Sequence, residues 1–323
     1  MRPAVIYTYQ LIKTRISFMH PIDLHTHSTK SDGTYTPTQL VRYAARKGLS
    51  AIALTDHDTI AGIGEAMLAS AALRRANGPE SSSSPVSLCA PEVIPGVELS
   101  TEYSGKSIHI VGLFIDYKNR EFSDRLHEFT DSRFYRNKKM CCLLTEGGYP
   151  VSYEELEKTF PDTVLTRPHF ARYLLDHGMI SSIDEAFRKL IGDDCPYYVP
   201  REKITPHDAV RYLVKFGGVP ILAHPLQYKL SEQDLNALVS SLKEEGLAGI
   251  ETYYSSHKPS DTAALSRIAL RYGLLPSGGS DFHGANKKNL DLGTGYGHLY
   301  VPDSLLPPLR EKADSLRRRR VFH

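Results

Sequence analysis

Short apolar runs alternate along the chain with longer segments in which apolar residues recur at helical spacing. This alternation is typical of βα units arranged around parallel strands, so we predict an α/β fold. The runs that predict strands read IDLH, SAIALT, EVIPGVELS, SIHIVGLFI, VPILAH, LAGIETYY, GLLPSGGS and YGHLYV. Thr36, Thr205 and Ser231 each precede a helical pattern and predict three helix starts. Gly48 and Gly217 mark the ends of the first two of these helices.

The alternation stops between about residues 118 and 204. Four helical patterns follow one another there without a convincing strand, from DRLHEFTDSRFYRNKKMCCLLTEGG to SIDEAFRKLIG. An all-helical insertion into an otherwise βα architecture explains this break best.

Composition and charge narrow the classes of function. The 323 residues include 39 basic and 37 acidic side chains, and a net charge of +2 gives no general case for nucleic-acid or membrane binding. The basic run at residues 317–320 is typical of a solvated tail. Four scattered cysteines without a CxxC pair favour reduced thiols and a cytoplasmic location. No apolar run approaches the ~20 residues that span a bilayer.

The first eighteen residues form a separate case. They lack the compact apolar core and the cleavage site of a signal peptide. The first well-patterned strand begins just after Met19, so we expect residues 1–18 to be an extension and Met19 to be a candidate native start.

Polar side chains of one chemical kind follow the predicted strands at their C-terminal ends. They are His25, His27, Asp56, His57, Asp58, Glu98, His224, Asp281 and His283, with His109 inside the strand SIHIVGLFI. The C-terminal ends of parallel strands form the active face of a barrel or sheet, so five strands direct these groups to one rim. A single histidine at a strand end is more often hydrogen-bonded or exposed than a ligand. Clustered without a metal, however, such groups would leave buried polar atoms unsatisfied. Imidazoles together with carboxylates suit zinc, iron or manganese.

These motifs resemble those of a known family. DLHTHSTKSDG, ALTDHDTIAG, GVELS, IHIVGLFID, ILAHP and SGGSDFH are similar, in this order, to the motifs of the PHP superfamily, named for polymerase and histidinol phosphatase. The resemblance extends over about residues 21–300 and is strongest to stand-alone phosphoesterases that act on nucleotides. It implies a distorted (β/α)7 barrel with an inserted all-helical subdomain. We therefore expect the barrel to comprise residues 19–117 and 205–323, and residues 118–204 to cap the substrate side.

The resemblance also implies a cluster of two to three divalent metal ions with nine protein ligands. His25, His27, Glu98 and Asp281 would hold one metal, and Asp32, His57 and His283 a second. His109 and His224, with Glu98 bridging, would hold a third. Many relatives have histidine where this chain has Asp32. A carboxylate is a harder ligand, which favours manganese or iron while leaving zinc open.

The predicted insertion and one strand-end loop supply candidates for phosphate binding. A planar guanidinium matches phosphate oxygens bidentately, and the resemblance implies an arginine from this segment together with a loop Ser or His. The candidates are Arg133, Arg136, Arg167, His169, Ser255, Ser256 and His257. Taken alone, Arg133 and Arg136 are typical of a solvated helix face. Four tyrosines are weaker candidates for stacking on a base, namely Tyr197, Tyr198, Tyr253 and Tyr254.

The expected function is metal-dependent hydrolysis of phosphate esters of small nucleotides. No GxSxG, GxxxxGK[ST] or strand-following GxGxxG motif competes with this interpretation. The resemblance favours nucleoside 3′,5′-bisphosphates, with short 5′-phosphorylated RNA as a second substrate, and catalytic roles for Asp32, His57, Arg167 and His257. Two alternatives stay open, a histidinol-phosphate phosphatase and a non-catalytic metal-binding module. We expect no membrane contact and no stable protein partner.

Overall fold

Seven strands form one sheet whose spatial order follows the chain. The computed structural model describes residues 20–76, 90–200 and 204–321, so the predicted extension over residues 1–18 lies outside the described residues. The strands are β1 (Ile22–Thr26), β2 (Ala51–Leu54), β3 (Glu92–Tyr103), β4 (Lys106–Leu113), β5 (Val219–Leu222), β6 (Gly249–Tyr254) and β7 (Leu275–Gly279).

The last strand returns to the first and nearly closes the sheet into a barrel. Just beyond the two strand ends, the backbone N–H of His27 donates to the carbonyl of Phe282 over 3.0 Å. The N–H of Asp281 donates in turn to the carbonyl of His25 over 2.8 Å. The prediction of an α/β barrel with seven strands is therefore confirmed.

One strand runs against the expected direction. β4 is antiparallel to both β3 and β5, whereas the other neighbouring strands are parallel. A tight turn at Ser104 and Gly105, with φ of 50° and 73°, joins β3 to β4 as a hairpin. Because β4 is reversed, its early residue His109 lies opposite Ser100 of β3, at the end of the sheet where the parallel strands finish.

The helices cover the sheet and extend away from it between β4 and β5. They are α1 (Pro37–Arg46), α2 (Ile63–Ala76), α3 (Arg120–Glu146), α4 (Tyr153–Thr159), α5 (Arg167–Asp176), α6 (Ile183–Lys189), α7 (Pro206–Lys215), α8 (Glu232–Glu244), α9 (Pro259–Tyr272) and α10 (Leu306–Val321). The predicted starts at Thr36, Thr205 and Ser231 are confirmed, since each side chain accepts a hydrogen bond from a backbone N–H three residues on. Among the described helices, none is both long and apolar enough to cross a membrane.

The eighth predicted strand, YGHLYV at residues 296–301, is wrong. Gly293, Gly295 and Gly297 all have positive φ, and the N–H groups of Gly297 and Leu299 both donate to the carbonyl of Thr294. Such tight turns are incompatible with the extended backbone that an apolar run suggests.

Helix α3 belongs to two hydrophobic clusters. Near its start, Phe122 packs in the cluster that joins the sheet to its covering helices. Near its end, Met140 and Leu144 pack in a second cluster with α4, α5 and α6. Arg133 and Arg136 lie between these two contacts. The division into a barrel and a separate helical subdomain stays a prediction.

Candidate active site

All nine predicted metal ligands meet at one end of the sheet. They form four overlapping groups in which the candidate ligand atoms lie within 4.8 Å of one another. The groups are His27, Asp32, His57 and His283; His25, Glu98 and His224; His25, His27 and Asp281; and His57, Glu98 and His109. We call these nine side chains the ligand cluster.

Glu98 lies at the centre of the ligand cluster because β3 carries it past the point where β2 ends. Its two carboxylate oxygens face five imidazoles at 2.8–3.2 Å, those of His25, His27, His57, His109 and His224. Oε1 lies 2.8 Å from His109 Nδ1, a contact that depends on the reversed direction of β4. One carboxylate is thus shared by residues from β1, β4 and the loops after β2 and β5.

Two aspartates complete the ligand cluster. Asp281 Oδ1 lies 3.3 Å from both His27 Nε2 and His283 Nδ1. Asp32 Oδ1 lies 3.1 Å from His283 Nε2, and its Oδ2 lies 3.8 Å from His57 Nε2. Asp32 therefore lies with His57 and His283, as the resemblance implies for the second metal.

The unsatisfied atoms of the ligand cluster fit metal binding. Six buried atoms of the ligand cluster have no hydrogen-bond partner in the described part of the chain: His25 Nε2, His27 Nε2, Asp32 Oδ1, His57 Nδ1, Glu98 Oε2 and His224 Nδ1. Leaving one such atom unsatisfied costs about 1–3 kcal/mol. Several of them facing one another would be strongly unfavourable unless they coordinate a cation. Imidazole nitrogens and carboxylate oxygens together suit zinc, iron or manganese.

The backbone at the ligand cluster is locally strained. His224 and Asp281 have φ of 26° and 56°, in the left-handed region that non-glycine residues rarely adopt. Such strain persists where surrounding contacts impose it, and it is concentrated at functional sites.

A second set of side chains holds the ligands in place, and the sequence interpretation missed it. Glu251 is buried, and its Oε1 lies 3.2 Å from His25 Nδ1 while Oε2 accepts the backbone N–H of His224 over 2.6 Å. The hydroxyl of Tyr254 donates to Asp281 Oδ2 over 2.7 Å, and Lys287 forms an ion pair with the same oxygen. Such partners orient metal ligands. Glu251 is an acidic residue inside the predicted strand LAGIETYY, as His109 is a histidine inside SIHIVGLFI, and this signal marks both residues in the sequence.

Burial and charge set the protonation of the carboxylates. Burial alone would raise the pKa values of Glu98 and Asp32, but the neighbouring imidazoles outweigh it. For Glu98 the main opposing interactions are those with the imidazoles of His57 and His25, and for Asp32 those with the imidazoles of His283 and His57. Both pKa values therefore lie well below their usual range, so these carboxylates are ionised and ready to bind a cation.

The imidazoles divide into two kinds. Burial opposes the charge of His27, yet the nearby carboxylates of Asp281 and Glu98 outweigh it and raise its pKa to about 9. Burial lowers the pKa of His57 to about 3, so this imidazole is neutral. Metal ligation requires neutral imidazoles, so a metal entering the ligand cluster must displace the proton of His27.

A cavity of about 210 Å³ opens beside the ligand cluster. Asp32, His57 and His109 form one side of its lining. The rest of the lining includes Arg133, Arg136, Arg167, Phe187 and Tyr198. The structure thus brings three predicted phosphate-binding arginines next to the predicted metal ligands.

The arginines differ in how they are held. Arg133 forms an ion pair with the buried Asp58. Arg167 lies at the start of α5, where its Nη1 donates to Asp193 over 2.6 Å. The Arg167 guanidinium also lies 5.2 Å from the ring centroid of Tyr198, a cation–π distance. Arg136 is buried although it belongs to a helix face that the sequence pattern describes as solvated.

Four predicted substrate residues do not line this cavity. His169 is buried and its Nδ1 accepts the N–H of Thr166, which caps α5. At the end of β6, Ser255 donates to the carbonyl of Ser280, and Ser256 is exposed. His257 is buried with Nδ1 bonded to the carbonyl of Thr252. Their roles in substrate binding stay predictions.

The chain is similar in sequence to a known family and to curated relatives. The family model of the PHP domain matches residues 23–191. The chain is 34% identical over 261 residues to a 5′-3′ exoribonuclease of Haemophilus influenzae, covering 81% of this chain and 89% of the relative. It is 33% identical over 276 residues to a 3′,5′-nucleoside bisphosphate phosphatase of Chromobacterium violaceum, covering 85% and 91%.

The fold of this chain is also similar to that of a solved structure. A protein of Bifidobacterium adolescentis, described as a metal-dependent phosphoesterase, superposes with a TM-score of 0.76 at 27% identity. The superposition covers 91% of this chain and 96% of that one. The similarity therefore includes both the barrel strands and most of the helices between β4 and β5.

Proposed function

The chain belongs to the PHP domain family and is a metal-dependent phosphoesterase, and on this premise we propose that it removes the 3′-phosphate from nucleoside 3′,5′-bisphosphates. Short 5′-phosphorylated RNA is the second candidate substrate, in keeping with the relative described as an exoribonuclease. The observation that carries this proposal is that three arginines share one cavity with the ligand cluster.

Three guanidinium groups suit a substrate with more than one phosphate. A single phosphate beside the ligand cluster needs at most one or two of them, and a second phosphate would use the remainder. Tyr198 and Phe187 line the same cavity and offer aromatic faces to a base. Histidinol phosphate carries a cationic group, which three arginines would repel, so this alternative is disfavoured. Similarity to enzymes over most of the chain disfavours the non-catalytic module.

The ligand cluster would hold two to three divalent ions, with manganese, iron and zinc as candidates. When bound, such ions activate water and neutralise charge that develops on the phosphate and the leaving oxygen. Asp32 and His57 belong both to the ligand cluster and to the cavity lining, which supports their predicted catalytic roles.

The protein's own contribution to the reaction is to position the phosphate. Arg133, Arg136 and Arg167 would bind its non-bridging oxygens and stabilise the charge that develops there during in-line displacement. A guanidinium remains charged throughout, so this stabilisation requires no proton transfer. The predicted role of His257 would be to help Arg167 neutralise these oxygens, and a histidine or aspartate of the site would protonate the leaving group.

Residues 118–204 would then act as a substrate-side cap. The five cavity residues Arg133, Arg136, Arg167, Phe187 and Tyr198 all come from this segment, whereas the ligand cluster comes from the barrel. Metal activation and substrate positioning would thus be divided between two parts of one chain. The cytoplasmic location and the lack of a stable protein partner stay predictions.

The proposal is tested by assaying manganese-loaded protein against three substrates: a nucleoside 3′,5′-bisphosphate, histidinol phosphate and a short 5′-phosphorylated RNA. We expect the highest kcat/KM for the bisphosphate. His57→Ala removes a ligand and should lower kcat/KM by at least about 100-fold, in the range seen when an essential catalytic group is removed. His207→Ala on α7 is the matched control, because His207 bonds Ser241 and does not line the cavity.

Two results would contradict the proposal. Turnover of histidinol phosphate alone would make the substrate assignment wrong. Wild-type protein that binds metal but hydrolyses none of the three substrates would contradict a nucleotide phosphoesterase altogether.

A further inference from the structure

Asp58 connects three elements at the edge of the cavity. It follows β2, is 1% exposed, and its backbone N–H donates to the carbonyl of Glu98 over 2.9 Å. Its Oδ1 accepts the backbone N–H of Ser100 in β3 over 2.8 Å. Its Oδ2 accepts Nε of Arg133 in α3 over 2.8 Å and also bonds Nη2 of the same guanidinium.

The backbone of Asp58 directs neighbouring side chains to different partners. Its φ is 53°, in the left-handed region that aspartate and asparagine enter more readily than other non-glycine residues. Immediately before it, His57 Nδ1 lies 3.1 Å from the carboxylate of Glu98 in the ligand cluster. At this left-handed turn, two consecutive side chains therefore contact different partners: His57 contacts the ligand cluster and Asp58 contacts Arg133.

These contacts fix the guanidinium of Arg133 on two sides. Nη2 donates to Ser100 Oγ over 2.8 Å in addition to its bond with Asp58. Nη1 makes no hydrogen bond to any residue in the described part of the chain. Arg133 lines the cavity, so one nitrogen of a rigidly held guanidinium is available to a ligand there.

Arg133 needs such a partner because of where it lies. It shares the cavity lining with Asp32, one of the three carboxylates of the ligand cluster, and a flexible cation would be attracted to these carboxylates. An arginine bound to those carboxylates would compete with the metals and could not bind phosphate. The buried carboxylate of Asp58, which is not part of the ligand cluster, offers a competing partner for the guanidinium.

We propose that Asp58 is a positioning residue for phosphate binding: it holds Arg133 so that Nη1 is presented to a phosphate oxygen, without itself touching the substrate. The proposal rests on the proposed phosphoesterase function. It assigns to Asp58 a role distinct from that of the adjacent metal-ligand candidate His57.

The test is a double-mutant cycle on metal-loaded protein with Asp58→Asn and Arg133→Gln. Asparagine keeps the shape, the tolerance of positive φ and an oxygen for Ser100, but removes the charge that holds the guanidinium. We expect Asp58→Asn to weaken binding of inorganic phosphate, measured by isothermal titration calorimetry, by about 10- to 100-fold. The double variant should bind phosphate no more weakly than Arg133→Gln alone, because both changes disrupt the same Asp58–Arg133 pair.

Metal content and a remote ion pair provide the controls. Asp58→Asn should bind as much metal as the wild type, by elemental analysis. Glu92→Gln breaks the Glu92–Arg310 pair, which lies outside the cavity lining, and should leave phosphate affinity unchanged. If Asp58→Asn fails to fold, Ser100→Ala removes the Ser100–Arg133 side-chain bond and should weaken phosphate binding in the same direction.

Three results would overturn the proposal. They are unchanged phosphate affinity in Asp58→Asn, additive losses in the double variant, or loss of metal from Asp58→Asn. Phosphate binding is measured without substrate, so these results are distinguishable from failure of the proposed function. That failure would appear as wild-type protein that binds phosphate but hydrolyses no nucleotide.

Discussion

Asp32 is the least typical member of the ligand cluster, and it contacts several partners. Its Oδ1 lies 3.1 Å from His283 Nε2, while Oδ2 accepts the hydroxyl of Thr166 over 3.3 Å. A carboxylate at this place offers a harder oxygen donor than an imidazole and can accept bonds on both oxygens. The metal preference of the site should therefore depend on this side chain.

We predict that Asp32→His shifts the metal preference from manganese towards zinc. The ratio of bound manganese to zinc should fall by about tenfold, which corresponds to roughly 1.4 kcal/mol, because a nitrogen donor replaces an oxygen. The measurement is elemental analysis after loading from an equimolar mixture of both metals. Asp314→His on the exposed face of α10 is the control. An unchanged ratio in Asp32→His would show that this residue does not ligate the metal.

The contact between β7 and β1 brings Asp281 and His283 to the ligand cluster. At the last residue of β7, Gly279, an added Cβ would overlap the Cβ and backbone N of His25. The φ of Gly279 is not in the left-handed region, so backbone conformation does not require glycine there. The close approach of the β1 backbone does. The barrel can close only where the backbones of β7 and β1 lie this near to each other.

We predict that Gly279→Ala loosens this closure. The free energy of unfolding should fall by about 1–3 kcal/mol, as for other overpacked sites, and metal content should fall with it. Denaturant unfolding and elemental analysis measure the two effects. Gly64→Ala in α2 is the matched control, since its Cβ would meet nothing within 4 Å and alanine favours helix. Full metal content in a destabilised Gly279→Ala would contradict the link between closure and the ligand cluster.

The direction of β4 shows how a whole element was misjudged while its residues were correctly identified. Alternating apolar residues mark β4 as a strand in either direction, because side chains alternate identically in parallel and antiparallel strands. The short turn at Ser104 and Gly105 makes β3 and β4 a hairpin, whereas the general βα pattern predicts parallel strands. His109 reaches Glu98 only because the strand is reversed.

For the molecule as a whole, metal binding should be coupled to pH. The raised pKa of His27, about 9, means that the metal-free protein holds this proton at neutral pH. A proton on His27 stabilises the metal-free fold fully below the unfolded pKa near 6.5, and this contribution is lost as pH rises through about 9. Metal competes with that proton, so metal affinity should increase with pH over the same interval.

We predict release of at least about one proton when manganese binds at pH 7.5, and less release at pH 9.5, where His27 is largely neutral. Calorimetry in buffers of different ionisation enthalpy counts the protons. In parallel, the Tm of metal-free protein should fall between pH 6.5 and 9, because the stabilising proton is lost. Manganese-loaded protein serves as the comparison, since its His27 is already deprotonated. Binding without proton release at pH 7.5 would contradict the charged state of His27.

The amino-acid sequence was sufficient for features that depend on short segments. Helix starts at Thr36, Thr205 and Ser231 follow from local hydrogen bonds between a side chain and the next turn. Polar residues at the ends of apolar strands indicated seven of the nine candidate ligands, because strand ends in this architecture converge on one rim. The family resemblance added Asp32 and His109 as ligands and implied how the nine are divided among the metals. These signals need no knowledge of distant contacts.

Other features depend on groups that are far apart in the chain, and only the folded structure revealed them. Asp58 and Arg133 are 75 residues apart, and nothing in either local pattern marks them as partners. Glu251 supports His25 across 226 residues. The cavity lining includes Arg133 but not His257, because it depends on how α3 packs and not on residue type. Local chemistry thus identified the candidate ligands, whereas the packing of distant elements determined which side chains surround them.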